Sequence, residues 1–530
     1  MTTLALDFGT SNTVLAVWNA TTESGDLVAL PELSQLVAND SPPLIPSLVY
    51  VENASEPKLL MGQSVRDRGF DTAQDSRFFC NFKRGIGAEI QGFLPELDRQ
   101  PLNFERLGQW FLNGILNSWQ AAGNSRPDNL ILTVPVDSFE PYRNWLTEAC
   151  AGWCVERVQL VDEPTAAALG YGQAGGSILV VDFGGGTVDF ALVKLEAALN
   201  NPGFLLKLGS NVLGKTSAQK PKLARVLGKA GGNLGGSDID NWLLDYFCDH
   251  NGLPRTPFTL RLCERLKIGL SQATQAEEVF FNEETLETLE LSLTRLEFEQ
   301  ILRERGFFEQ LNAYLQQTCQ QGERNGTTKT DIDAVLLVGG TTQIPAVRNW
   351  LSQEFSPNKI KAEKPFSAIA TGALSLSRGL TVKDFLYHSY GIRYWSQREQ
   401  RHQWHPIIRE GQPYPTEEPV ELVLGASQSG QPSLELILGE LGSQSNQTEV
   451  YFDGSRLVTR TLTQAAPAVQ TLNDTEQGRT LAPLNPPGFP GQDRLKLLFS
   501  VDDERRLRVT IEDLLTDEML LENKVIADLR

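Results

Sequence analysis

The feature that most constrains this chain is a short pattern that occurs twice. Leu4–Asp7 and Ile178–Asp182 are apolar runs of strand length that end in aspartate, and each is followed by Phe-Gly and then by a second β-like run. A strand that turns back through Asp-Phe-Gly makes a hairpin whose loop can present backbone N–H groups to phosphate oxygens, because glycine allows close approach. The first loop is Asp7-Phe8-Gly9-Thr10-Ser11-Asn12, and the second is Asp182-Phe183-Gly184-Gly185-Gly186-Thr187-Val188-Asp189. Each also brings a carboxylate to the same point. Asp7 and Asp182, facing each other across a cleft, can hold the hydration shell of Mg2+, which keeps several waters while bridging phosphates. The two halves read as duplicated β-loop-β units.

A third loop follows an apolar strand at Val335–Val338 and turns through Gly339-Gly340-Thr341-Thr342 into a helix that begins near Pro345. Helix N-termini with flanking glycines favour anionic or polar ligand groups. Apolar runs alternate with amphipathic helical stretches over the first 380 residues, whereas the remainder carries short β-like runs separated by Pro, Gly, Ser and Gln. A chain of 530 residues exceeds one compact core, so the shift near Val382 marks a boundary. The expected organisation is an α/β, bilobed domain over 1–381, a linker over 382–390 and a smaller β-sandwich over 391–530.

Composition narrows the chemistry. The net charge of −19 repels phosphate backbones, which argues against nucleic acid as a partner. No continuous apolar run is long enough to span a membrane, and no export signal precedes Leu4, so the cytoplasm is the expected location. The six cysteines form no CxxC pair, and three of the four histidines lie beyond residue 380, an arrangement unsuited to a zinc site or a serine-hydrolase triad. Catalysis must rest on carboxylates, lysine and backbone amides.

The three loops, in this order and spacing, resemble those of the actin, sugar-kinase and heat shock protein 70 superfamily. Three further runs narrow the resemblance to the DnaK-type heat shock protein 70 chaperones: Val161–Ala168, Gly235–Asn241 and Cys263–Ser271. The likeness is continuous over residues 1–380 and fainter beyond, where Asp502–Val509 is similar to the last strands of the family's peptide-binding sandwich. It implies an actin-like (ribonuclease H-like) ATPase domain, a cofactor set of ATP/ADP and Mg2+, unfolded or extended polypeptide clients, and a J-domain co-chaperone and nucleotide-exchange factor as partners.

The resemblance also implies residue roles. Lys83, in Phe82–Gly87, would serve the γ-phosphate and the attacking water, and Glu163 would orient metal-bound water. Thr10 and Thr187 would touch the phosphates, with Asp189 near the metal and Asp7 and Asp182 binding it through water. Gly9, Ser11, Asn12, Gly184, Gly185, Gly186, Gly235, Gly236, Glu264, Lys267, Ser271, Gly339, Gly340, Thr341 and Thr342 complete the nucleotide-binding set. Phosphoryl transfer needs mainly positioning and charge neutralisation, so one lysine, Mg2+ and backbone donors suffice. Pro135, Arg143 and the apolar linker Asp384-Phe385-Leu386 match the family's interdomain relay; otherwise Phe385 and Leu386 simply begin the second domain.

The sequence departs from the family where adenine is gripped. Ile268 and Gln343 stand where the family has two arginines, and Phe366 follows Pro365 where it has an acidic residue. Loss of guanidinium stacking predicts ATP binding weaker by about 1–2 kcal/mol. Gly209–Thr216 fits a P-loop pattern, but Pro221 lies where its helix would continue, so 209–230 reads as a basic insertion. No extended helical pattern follows the β-rich region, in contrast to the lid of the family. The competing functional readings are a chaperone ATPase and a nucleotide-sensing adaptor with weak or no ATPase.

Overall fold

The computed structural model describes the chain except at residues 1, 36–41, 74, 89, 93, 136–139, 154, 174, 196–223, 283–285, 376–385, 387–388, 397–398, 400, 410–411, 413, 417, 442–445, 454–455, 464–468, 474–479, 503–504 and 530. It divides into two units, Met1–Val382 with Thr448–Arg460, and Lys383–Gln447 with Thr461–Arg530. The stretch Thr448–Arg460, expected within the sandwich, thus groups with the first unit. There Glu449 and Val450 pair in parallel with Ile90 and Gln91.

The first unit is built on two sheets of identical wiring. In one, β1 (Thr3–Asp7) pairs antiparallel with β2 (Asn12–Asn19), which pairs with β3 (Ser24–Leu27). On its other side β1 runs parallel to β4 (Asn129–Val134), which pairs with β5 (Arg157–Asp162). In the other, β6 (Gly176–Phe183) pairs antiparallel with β7 (Val188–Leu195), followed by β8 (Ala224–Gly232). On its far side β6 runs parallel to β9 (Ile332–Val338), and β9 to β10 (Ile360–Lys361). Both sheets therefore have the order 3-2-1-4-5, with an Asp-Phe-Gly hairpin leaving the central strand.

The central strands are buried on both faces, which is why they read as continuous apolar runs rather than alternating ones. Leu4, Ala5 and Leu6, then Ile178, Leu179, Val180 and Val181, then Val335, Leu336 and Leu337 are all buried. Helices cover these sheets with amphipathic faces. In α1 (Phe104–Ala121), Leu107, Phe111, Leu112, Ile115 and Trp119 recur at helical spacing toward the core, and the Asn103 side chain caps the helix by accepting from Arg106 N–H. The other helices that position the site are α2 (Glu140–Ala151), α3 (Glu163–Gly170), α4 (Gly236–Asn251), α5 (Pro257–Gln272) and α6 (Pro345–Glu354).

The second unit is all β among its described residues. One four-stranded sheet joins β11 (Ser389–Ser396), β12 (Arg401–Ile408), β15 (Leu438–Leu441) and β16 (Val469–Thr471). Another joins β13 (Val420–Gly425), β18 (Asp493–Val501), β19 (Arg506–Asp513) and β20 (Glu518–Asp528). The pair β14 (Gln431–Leu436) and β17 (Thr480–Gly488) completes it, and one apolar cluster around Tyr390, Leu438, Leu497, Phe499 and Val509 fills the interior. The chain is thus α/β: an actin-like, ribonuclease H-like domain followed by a β-sandwich. The proline-rich stretch 484–490 lies largely in β17. Its pairing with β14 jumps from Ser433↔Pro483 to Gln431↔Gly488, so Pro486 and Pro487 fall in an irregular stretch where the ladder demands no N–H donors.

The run expected as a linker lies mostly outside the described residues, including Asp384 and Phe385. Leu386 is described, and it is buried in the core of the second unit, where its N–H donates to Gln412 C=O at 3.0 Å. It behaves as the start of the sandwich rather than as an exposed linker residue. The P-loop-like run Gly209–Thr216 is also outside the described residues.

Candidate active site

The hairpin loops of the two sheets meet. A methyl group added at Gly185 would lie 1.8 Å from Ser11 Oγ, and one at Gly186 would lie 2.7 Å from Thr10 Cγ2. Only glycine permits that approach, and it leaves the first loop (Gly9, Thr10, Ser11, Asn12) against the second (Gly184, Gly185, Gly186, Thr187). Ser47 fixes the first loop: its hydroxyl donates to Gly9 C=O at 2.8 Å and its N–H to Ser11 C=O at 2.9 Å. The second loop is fastened by the N-terminus of α4, where Gly236 and Ser237 N–H donate to Gly184 and Gly185 C=O at 3.1 and 2.9 Å. Thr341 ties in the third loop by donating to Gly184 C=O at 2.8 Å. Gly339 has φ +84°, and a Cβ there would sit 2.3 Å from Phe183 C=O, so the turn out of β9 requires glycine.

The charged groups gather beneath these loops. Lys83 lies in a 3-10 turn, Phe82–Gly85, and its Nζ is 3.4 Å from Glu163 Oε1, with both side chains nearly buried. Glu163 is set by local sequence. Asp162 is the N-cap of α3, accepting from Thr165 N–H at 2.8 Å, and Pro164 follows in the first turn, so Glu163 opens the helix. Asp7, at the end of β1, accepts from Thr133 Oγ1 at 2.8 Å across the neighbouring parallel strand. Asp182 and Asp189 are direct cross-strand partners at the mouth of the second hairpin.

Electrostatics tie these groups into one cluster. Burial pushes the Glu163 carboxyl up to about 7, against the pull of Lys83. Burial also raises Asp7, with Lys83 and Thr133 opposing, and raises Asp182 well above the carboxylate range with help from Glu163, Asp189 and Asp7. For Lys83, burial alone would favour the neutral amine, but Tyr142, Glu163, Asp7 and Asp182 outweigh it and hold the ammonium above the ordinary lysine range. Three carboxyls, Glu163, Asp7 and Asp182, share one lysine, a crowding of buried acids whose ionised forms a divalent cation would stabilise. Among the described residues no group of three or more His, Cys, Asp or Glu is placed to ligate a metal directly. A hydrated Mg2+ held through its waters by Asp7 and Asp182 fits this donor set.

The surroundings of α5 and the third loop are different. On α5, Lys267 donates to Gly236 C=O at 2.9 Å and pairs with Asp240 at 2.7 Å, linking α5 to the start of α4. Burial pushes Asp240 up to about 7, with Lys267 opposing. Glu264 is held by Arg261 and by Arg66, the latter at 3.6 Å, while Ser271 donates to its own helix at Lys267 C=O. Ile268 is half exposed. Gln343 accepts from Arg348 at 2.8 Å, and its buried Nε2 has no hydrogen-bond partner. A Cβ at Gly340 would lie 3.1 Å from the Phe366 ring. Beside these apolar and amide groups, the Arg348 guanidinium is engaged with the third loop itself, donating to Gln343 Oε1 and, at 3.3 Å, to Thr342 C=O.

Of the relay residues, Pro135 follows β4 and is half-buried, whereas Arg143 lies on α2 with its side chain outside the described residues. Sequence reading missed Arg84, whose guanidinium donates to Gly186 C=O and pairs with Asp238 at 3.1 Å, clamping the second loop from the turn that carries Lys83. Its position next to Lys83 was the available signal. Thr133 and Tyr142 were also missed, since neither lies in a recognisable motif. A family profile described as Hsp70 protein matches residues 96–199 and 225–388, more than half of the chain, and the gap between its segments overlaps the 209–230 stretch that the sequence reads as an insertion.

Proposed function

The chain belongs to the Hsp70 family of chaperone-type ATPases, and we propose that it hydrolyses Mg-ATP slowly and couples the cycle to binding and release of unfolded or extended polypeptide. The observation that carries this reading is the convergence of the Lys83–Glu163 pair with Asp7 and Asp182 beneath two glycine loops that touch. In this reading Lys83 neutralises the γ-phosphate, Glu163 orients water, and the N–H groups of both loops, with Thr10 and Thr187, position the phosphates. Mg2+, when bound, supplies charge neutralisation between phosphates, and Asp7, Asp182 and Asp189 hold its hydration shell. Lys267 and the Gly235-Gly236 turn would border the ribose side.

The second unit would take the polypeptide. Tyr394 and Trp395 are exposed at the end of β11, and an open strand edge nearby suits an extended segment that adds backbone hydrogen bonds and inserts side chains. A J-domain co-chaperone and a nucleotide-exchange factor would complete the cycle in the cytoplasm. Ile268, Gln343 and Phe366 favour a second reading, a nucleotide-sensing adaptor with weak hydrolysis and one dedicated protein partner. Single-turnover hydrolysis of Mg-ATP by the wild-type chain and Lys83→Ala, with and without unrelated extended peptides, separates the two. Slow turnover that needs Lys83 and rises with several peptides is expected; no turnover in either protein would leave the adaptor.

A further inference from the structure

Tyr142 stands beside the Lys83–Glu163 pair with its hydroxyl unused. The residue is 5% exposed, and its buried Oη has no hydrogen-bond partner among the described residues. Trp145 packs against the ring at 5.6 Å between centroids, Lys83 Nζ lies 5.9 Å from the ring centroid, and Gly87 closes on the Tyr142 backbone, where an added Cβ would lie 2.9 Å from its N. Lys83 in turn reaches Glu163 at 3.4 Å. A buried donor without a partner is a standing cost to the fold, and such groups are retained where something else, water or ligand, completes them.

The Tyr142 ring lies next to the lysine, whose Nζ is 5.9 Å from its centroid, and the hydroxyl is bonded to no described residue. Burial pushes the phenol itself up to about 12, so it keeps its proton at any working pH and acts as a neutral donor and acceptor. A buried, protonated hydroxyl with no partner among the described residues, on a ring next to Lys83, is available to hold a small oxygen species near the Lys83–Glu163 pair.

We propose that Tyr142 positions the attacking water, accepting one of its protons in a hydrogen bond and directing its own proton to a γ-phosphoryl oxygen, an inference that rests on the ATPase reading above. In the step, the water oxygen forms its bond to the γ-phosphorus as the bond to the β–γ bridging oxygen breaks, and that electron pair leaves with ADP. The water's proton passes to the transferred phosphate, and Tyr142 ends as it began. Its contribution is geometric, so it bears on the rate of the chemical step rather than on nucleotide affinity.

Tyr142→Phe removes only the hydroxyl and keeps the ring packing. In the full-length protein, single-turnover hydrolysis of Mg-ATP is expected to fall roughly ten- to a hundredfold, less than the loss of a main oxyanion donor. The dissociation constant for Mg-ATP should stay within about threefold and the melting temperature should hold or rise, because a buried unpartnered hydroxyl has been removed. A structural role alone would move melting and affinity together with the rate. Wild-type hydrolysis left unchanged by Tyr142→Phe would overturn this inference alone. Failure of the wild-type chain to hydrolyse ATP would overturn the ATPase reading and the inference with it.

Discussion

At Gly185 the molecule leaves no room for a side chain. A Cβ would lie 1.8 Å from Ser11 Oγ and 2.7 Å from Ser11 Cβ, so rotating the serine does not relieve the overlap and the loops must part. Overpacking of this kind costs about 1–3 kcal/mol, and here it acts where the loops share a ligand. Gly185→Ala is therefore expected to weaken Mg-ATP binding about tenfold or more, read by calorimetric titration. Ser11→Gly in the same chain should recover most of the loss, since the nearest remaining atom, Ser11 Cα, lies 3.8 Å away. A double variant no better than Gly185→Ala would show that the loops do not act through this contact. The neighbouring Arg84 makes the same point about residues that carry no motif: it clamps Gly186 C=O and Asp238 from a turn whose recognised member is Lys83.

At the scale of elements, the duplicated hairpins work because each leaves the central strand of a sheet ordered 3-2-1-4-5, which sets an aspartate at the end of the most buried strand twice over. In the second unit the comparable fixed point is the end of β19. Asp513 is fully buried and accepts from Arg494 Nη2 at 2.8 Å, and Arg494 is itself buried on β18. Burial would raise the Asp513 carboxyl, but the Leu515 N–H, Arg494 and the Thr516 N–H outweigh it and hold it below the carboxylate range. Asp513→Ala leaves a guanidinium buried without its counter-charge, a change that costs roughly 3–5 kcal/mol. The expected result is a lower denaturant midpoint for the second unit with the hydrolysis rate of the first unit unaltered, measured by urea unfolding and single-turnover kinetics. A shift under about 1 kcal/mol would mean that water reaches Arg494.

For the whole molecule, the buried acids make stability depend on pH. Glu163 moves from 4.5 to about 7 and Asp240 from 3.8 to about 7 on folding, both by burial, and Asp7 and Asp182 shift in the same direction. A carboxyl with a raised folded pKa binds more protons in the native state than in the unfolded one, so its contribution to stability falls as pH rises between the two values. The melting temperature of the nucleotide-free protein is expected to drop as pH rises from about 4.5 to about 7. Mg-ATP should flatten that dependence, because cation binding to the ionised cluster offsets the same charge. Glu163→Gln should flatten it partly without ligand, and scanning calorimetry across that range checks both. A melting temperature that rises across the window would show that these carboxyls are ionised in the native state.

By itself the sequence determined the parts whose chemistry is local. Apolar runs ending in Asp-Phe-Gly specify strand and hairpin, Asp162-Glu163-Pro164-Thr165 specifies a capped helix start, and Gly339-Gly340 specifies a turn into a helix, each through backbone preference and short-range bonding. The split of the chain near Val382 was legible in composition, although the return of Thr448–Arg460 to the first unit was not, because pairing with Ile90 and Gln91 is a long-range choice. The prolines of β17 show a similar limit, since whether a strand residue needs its N–H depends on whether a neighbour pairs with it. Tertiary structure alone decided that Leu386 is core, that Phe366 covers Gly340, and that Tyr142 keeps a buried hydroxyl beside Lys83. Those facts depend on which distant segments meet, and a buried polar group acquires its meaning only from what surrounds it.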